Sequence, residues 1–116
     1  MIEQKVLWQR DGSVVKSGSL HCASTYWQRA RGLLGRPSPA SGIGLKISPC
    51  SSVHTFFMGY AIDLVYLSRE NIVLKVVTDL KPWRVSATRG AHSVVEYAAG
   101  EVDVLGIQVG DVCVYC

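Results

Sequence analysis

Ser52-Val53-His54-Thr55-Phe56-Phe57-Met58-Gly59-Tyr60-Ala61-Ile62-Asp63-Leu64-Val65-Tyr66-Leu67 decides how this chain is read. Two runs rich in β-branched and aromatic residues flank a Gly59-Tyr60 break, the pattern of two strands. A histidine and an aspartate sit inside them. An unpartnered polar group in apolar surroundings costs roughly 2–7 kcal/mol, and a bare charge costs more. His54 and Asp63 therefore either tie a core together or line a site. On a continuous strand His54, Phe56 and Met58 would share one face, with Thr55 and Phe57 on the other.

Outward from this stretch the chain keeps an extended character. Lys5 to Gln9 reads as a strand, Asp11-Gly12 as a hairpin turn, and Val14 to Ser24 as the return. Leu20 and Cys22 then share a face and His21 takes the other. Ser24 or Thr25 can cap a helix over Tyr26 to Leu34, with Trp27, Ala30 and Leu34 inward and Gly35 after it. Gly44 to Ile47 is a short strand. Ile72 to Thr78 returns from a hairpin loop at Ser68 to Asn71. Lys81 to Gly90 is the longest irregular stretch, with Lys81, Arg84, Arg89 and Trp83 in it. Ser93 to Ala98 and Val112 to Tyr115 are further strands, and Glu101 to Leu105 is one helical turn ended by Gly106. The expected class is α+β: a mainly antiparallel, curved or barrel-like sheet with two short helices.

The 116 residues make one domain, long enough for a core without disulfides or metal. A hydrophobic share of 48% against 18% charged residues is globular rather than disordered. The net charge of +3 lacks the dense basic face of a nucleic-acid binder, so no nucleic-acid partner is expected. No run reaches the roughly 20 apolar residues of a membrane span, and no signal peptide is visible. The chain as it stands reads as cytoplasmic, or exported if a leader has been removed. Its four cysteines are then expected as thiols. Cys113-Val114-Tyr115-Cys116 has the spacing of a C-x-x-C motif but ends a strand, where the two thiols point to opposite faces.

Asp63 wants a cation or several N–H donors. Arg31 or Arg36 could supply the cation, since arginine pairs carboxylates bidentately. Alternatively Asp63 could orient His54 as a general base. Glu96, between Val95 and Tyr97, raises the same question. His54, Met58 and Cys50 hint at soft-metal ligation, but two ligands without a third define no site; no metal and no cofactor are expected. No P-loop, G-x-S-x-G or G-x-G-x-x-G is present.

Arg31-Gly32-Leu33-Leu34-Gly35-Arg36, Val53 to Met58, Ile62 to Leu67 and the Gly100 to Asp111 segment together resemble the bacterial and archaeal family known as domain of unknown function 192. The resemblance runs over about residues 20–115. It implies a compact, mainly β domain with flanking helices, and no established activity, cofactor or catalytic residue. The matching positions are Arg31, Gly32, Arg36, His54, Met58, Asp63, Glu96 and Asp111. Phe57 stands where the family commonly has tryptophan, and Gly59 where a polar or basic residue is frequent. Many members carry a leader or lipid anchor.

The leading expectation is a non-enzymatic binding domain with a cleft for a small polar or anionic ligand. Arg31, Arg36, His54, Met58, Asp63 and Glu96 are its candidate ligand-binding residues. The alternative is a small hydrolase or isomerase using a His54–Asp63 dyad. A third reading is a protein-interaction accessory of an envelope or secretion assembly, with the Trp83 loop as contact. A large exposed apolar patch there would favour it, and a buried Trp83 would count against it.

Overall fold

The computed structural model describes residues 2–23 and 42–115. The helix expected over 26–34, which would carry Arg31, and Arg36 beyond it lie outside the described residues. Among these residues nine strands and one short helix form: β1 (Ile2–Arg10), β2 (Ser13–Ala23), β3 (Ile43–Ile47), β4 (Ser52–His54), β5 (Ile62–Leu67), β6 (Val73–Leu80), β7 (Val85–Ala87), β8 (Ser93–Ala98), α1 (Glu101–Leu105) and β9 (Val112–Tyr115). The antiparallel bias holds, and the described residues are mostly strand with a single short helix rather than an even α+β mixture. Of the two expected helices the described residues contain one.

Asp11 and Gly12 both take positive φ, 52° and 80°, so the first hairpin turns as its sequence predicts. Seven strands form one sheet in the order β6-β5-β8-β3-β2-β1-β9, and β4 pairs with β7 in a second, two-stranded sheet. All pairings are antiparallel except β2 with β3. The large sheet is open, which corrects the barrel part of the expectation. Its edges meet only at an isolated bridge, Ile72 with Val112, and at flanking bonds such as Val73 N–H to Asp111 O (2.8 Å). The left-handed Asn71 (φ 64°) precedes β6 there, and its carbonyl accepts the Cys113 N–H of β9 at 2.9 Å.

Two cores lie on the two faces. The inner face holds Val6, Trp8, Leu20, Val65, Tyr97 and Cys113, covered by Val102 and Leu105 of α1. The outer face holds Leu45, Ile47, Leu64, Tyr66 and Val94, and on it sit Val53 and Met58 from the β4 segment. β5 is buried at every position, as befits a strand covered on both sides.

Arg10 fixes the seam end of the sheet. Its guanidinium donates to both carboxylate oxygens of Asp111 (2.9 and 3.0 Å) and to Gly106 O (2.8 Å). Asp111 also accepts the Gln108 N–H at 2.8 Å. Burial pushes the Asp111 carboxyl up, but the Arg10 bond, the Gln108 N–H and the guanidinium charge outweigh it. Its pKa therefore lies below the ordinary 3.8. A carboxylate with a depressed folded pKa adds stability that is complete above its unfolded pKa and is lost as pH falls through the folded value. Acid titration of the fold below about pH 4 should therefore be shallower in Arg10→Gln than in wild type. Parallel acid-unfolding curves would refute this coupling.

Candidate functional site

Asp63 and His54 are built into different parts of the molecule. Asp63 is 0% exposed and sits on the inner face of β5, since its cross-strand partner is Tyr97. One carboxylate oxygen accepts the Asp79 N–H (2.9 Å). The other accepts the N–H groups of Gly100 and Val102 (both 3.0 Å). Three backbone donors, rather than a cation, satisfy the charge. Two of them belong to the start of α1, whose N-cap Gly100 has no side chain to serve them. Asp63 thus caps from a distance a helix that cannot cap itself.

Glu96 is 3% exposed between Leu45 and Leu64, on the outer face. The pleat therefore places Asp63 and Glu96 on opposite sides of the sheet. Met58 is 8% exposed within the outer core. His54 is exposed on β4. Among the described residues no hydrogen bond joins His54 to Asp63, and no group of three His, Cys, Asp or Glu side chains converges as a metal cage would require.

His54 lies instead at one end of a row of rings. Its ring centroid is 5.0 Å from that of Phe56, Phe56 stacks on Trp83 at 5.7 Å and 26°, and Phe57 meets Trp83 edge-on at 4.6 Å. Phe57 is 74% exposed, Trp83 55% and Val85 65%. The expected alternation from His54 to Met58 fails for a local reason. The strand ends at His54, and Phe57 takes a left-handed φ of 65°, so the chain turns. Met58 N–H bonds back to Thr55 O at 3.2 Å, which closes the turn. Thr55 and Met58 then point inward while Phe56 and Phe57 point out.

The stretch from Lys81 to Gly90, expected to be irregular, contains β7. This strand pairs with β4 in the register Ser52 with Ala87, Val53 with Ser86 and His54 with Val85. The Tyr66 hydroxyl donates to Ser86 Oγ (2.9 Å) and fastens this small sheet to the large one. Trp83 also has a left-handed φ of 65°.

Thr55 is the joint between the two loops. It is 0% exposed; its hydroxyl donates to Lys81 O (2.7 Å) and accepts the Arg84 N–H (2.9 Å). Its backbone N–H reaches Arg84 O (2.9 Å) and its carbonyl accepts the Trp83 N–H (3.0 Å). Left-handed φ in a bulky residue costs about 1–3 kcal/mol. Two such residues, both aromatic and both outward, are held in place by this one buried threonine. Thr55→Val keeps the volume but leaves the Arg84 N–H and the Lys81 carbonyl without their partner. We expect a loss of about 1–2 kcal/mol and faster amide exchange at Trp83 and Arg84. Unchanged exchange would mean that the loops are held elsewhere.

Sequence reasoning also missed Lys46. It is buried on the inner face, and its ammonium donates to Asn71 Oδ1 (3.1 Å) and to the Tyr115 hydroxyl. Burial lowers its pKa, while nearby Cys113 and Cys22 favour the charged form. Lys46 alternates with Leu45 and Ile47 as an outward residue would, so pattern alone gave no sign of it. Cys113 is buried and its thiol is pushed up to about 11, so it is unreactive at neutral pH.

The family model described as DUF192, Uncharacterized ACR, matches residues 6–115. A UPF0127 protein of Thermococcus sibiricus is 33% identical over 105 residues, covering 84% of this chain and 66% of that protein's length. A UPF0127 protein of Pyrococcus abyssi is 32% identical over 112 residues, covering 91% of this chain and 93% of its own. Among solved structures, a Sinorhizobium meliloti protein described as a proposed transcription regulator superposes with a TM-score of 0.87 at 17% identity, over 98% of this chain and 94% of that one. A protein of unknown function from Novosphingobium aromaticivorans gives 0.80 at 18%, over 94% and 82%. At such identities these two likenesses concern the fold alone.

Proposed function

The chain belongs to the DUF192 family, a family of unknown function, and we propose that it is a non-enzymatic binding domain whose contact surface is the ring row His54, Phe56, Phe57 and Trp83 with Val85 beside it. The observation that carries this reading is the display of two aromatic side chains on left-handed backbone. Phe57 and Trp83 are 74% and 55% exposed. Core packing does not account for strain that points outward, and strained backbone gathers at binding sites. Exposed aromatic clusters of this kind are the usual centre of an interface. Thr55 sets the loops before any partner arrives, which lowers the ordering cost of binding.

A His54–Asp63 dyad is less well supported. A general base and its orienting carboxylate need a hydrogen bond or one bridging water. Asp63 already serves three backbone donors in the inner core. A polar cleft holding both residues meets the same difficulty.

The test is a fluorescence titration with anilinonaphthalene sulfonate, an apolar anion that matches an aromatic surface with basic neighbours. Wild type should bind it, and Phe57→Ser/Trp83→Ser should bind at least about 10-fold more weakly with an unchanged melting curve, a difference of about 1.4 kcal/mol. Equal binding by the double variant would place the contact surface elsewhere.

A further inference from the structure

Resting on that reading, we propose that the ring row docks on the surface of an anionic lipid bilayer, with Phe57, Trp83 and Val85 dipping into the headgroup boundary and Lys81 and Arg84 meeting the anionic charge. Three observations favour this occupant.

The two loops are tied to each other rather than to the rest of the tip's surroundings. The N–H groups of Thr55, Met58, Trp83 and Arg84 and the carbonyls of Thr55, Lys81 and Arg84 are paired within the protein. Such pairing lowers the cost of carrying loop backbone out of water. A shallow wedge goes only to the headgroup boundary, where the backbone groups of Phe56 and Phe57 stay hydrated.

The charges suit the same arrangement. Lys81 and Arg84 are exposed within the loop that carries Trp83, and Arg89 is exposed beyond the far end of β7. The neighbouring carboxylate, Asp79, is held by Lys81 at 2.7 Å. The Arg84 guanidinium lies against the carbonyls of Pro82 and Trp83 (3.4 Å each), directly behind the apolar tip. Residues 48–62 contain no Asp, Glu, Lys or Arg, so no carboxylate on the facing loop opposes an anionic surface. Tryptophan and phenylalanine above a basic fringe are the side chains that favour a membrane–water boundary.

The rings are already stacked on one another: Phe56 lies over Trp83, and Phe57 abuts it. With the exposed Phe57 ring they form one continuous apolar tip, the shape a shallow wedge requires. Among the described residues no helix is long and apolar enough to cross a membrane, so this contact is a surface attachment by loops. One shallow apolar wedge holds weakly by itself, and the electrostatic fringe supplies the second signal that such attachment requires.

The experiment is flotation of the full chain with vesicles, one set of phosphatidylcholine alone and one with phosphatidylglycerol added to about 30%, a content that gives the negative surface potential basic residues respond to. Expected are co-flotation with the anionic set only, release by 1 M salt, where the Debye length shrinks to about 3 Å, and a blue shift of tryptophan emission on adding those vesicles that Trp83→Phe removes and Phe57→Ser reduces. Arg84→Glu should lower partitioning by at least about 5-fold, since each basic residue near such a surface contributes about 1 kcal/mol. All these side chains are exposed, so the variants should melt as wild type does. Absence of flotation, while anilinonaphthalene sulfonate still binds and Phe57→Ser/Trp83→Ser abolishes it, overturns the bilayer and leaves the contact surface to a protein. Flotation that Phe57→Ser and Arg84→Glu both leave unchanged overturns the proposal too. Loss of dye binding and flotation together overturns this inference and the reading beneath it.

Discussion

Asp63→Ala should lower the stability of the fold by about 3–5 kcal/mol, the largest effect of any single truncation considered. The substitution removes the common acceptor of the Asp79, Gly100 and Val102 N–H groups. Each buried donor left without a partner costs about 1–3 kcal/mol, and relaxation recovers part of the sum. In a domain this size the midpoint of thermal unfolding should fall by roughly 10–20 °C. Asp63→Asn should cost less, about 2 kcal/mol, because one oxygen still accepts while the amide faces donors. Urea melts of the two variants check this order. A loss below about 1 kcal/mol in Asp63→Ala would show that β6 and α1 are held without the carboxylate.

Gly44→Ala should cost about 2–3 kcal/mol for the opposite reason, an added atom rather than a missing bond. A Cβ at Gly44 would lie 2.7 Å from Val95 Cγ1 and 2.8 Å from Tyr97 Cε1. Both neighbours belong to the fully buried inner core, and the tyrosine ring cannot bend away. β2, β3 and β8 meet around this position, with Leu20 paired to Gly44. Val95→Ala in the Gly44→Ala background should restore part of the loss, because the nearer of the two clashes disappears. Additive losses in the double variant would sink this account.

How far the sequence was legible depended on how local the signal was. Asp11-Gly12 announced a turn because two consecutive positive φ angles need those residue types. Gly106 announced the end of α1, and it does close that helix in the left-handed conformation at φ 71°. That Asp63 needed a cation or several donors was legible from its apolar flanks. Which donors they were was not, since two of the three lie 37 and 39 residues away.

The ring row was harder to foresee. A left-handed turn normally carries glycine or asparagine, and here phenylalanine and tryptophan occupy it, so composition predicted strand and loop instead. β7 escaped notice because it is three residues long and exists through its pairing with β4. The exposure of Trp83, whose burial would count against an interaction role, is legible only in the fold.

The pairing of β1 with β9 bears on how the chain is made. Val6 faces Tyr115 and Trp8 faces Cys113 across that ladder. A ribosome emits the first hairpin about a hundred residues before the strand that flanks its far side. At roughly 5–20 residues per second that interval is on the order of 10 s. Throughout it one flank of the hairpin shows unpaired N–H and C=O groups, an invitation to strands of neighbouring nascent chains. That edge of β1 therefore stays open to intermolecular pairing until β9 has been made and docks against it.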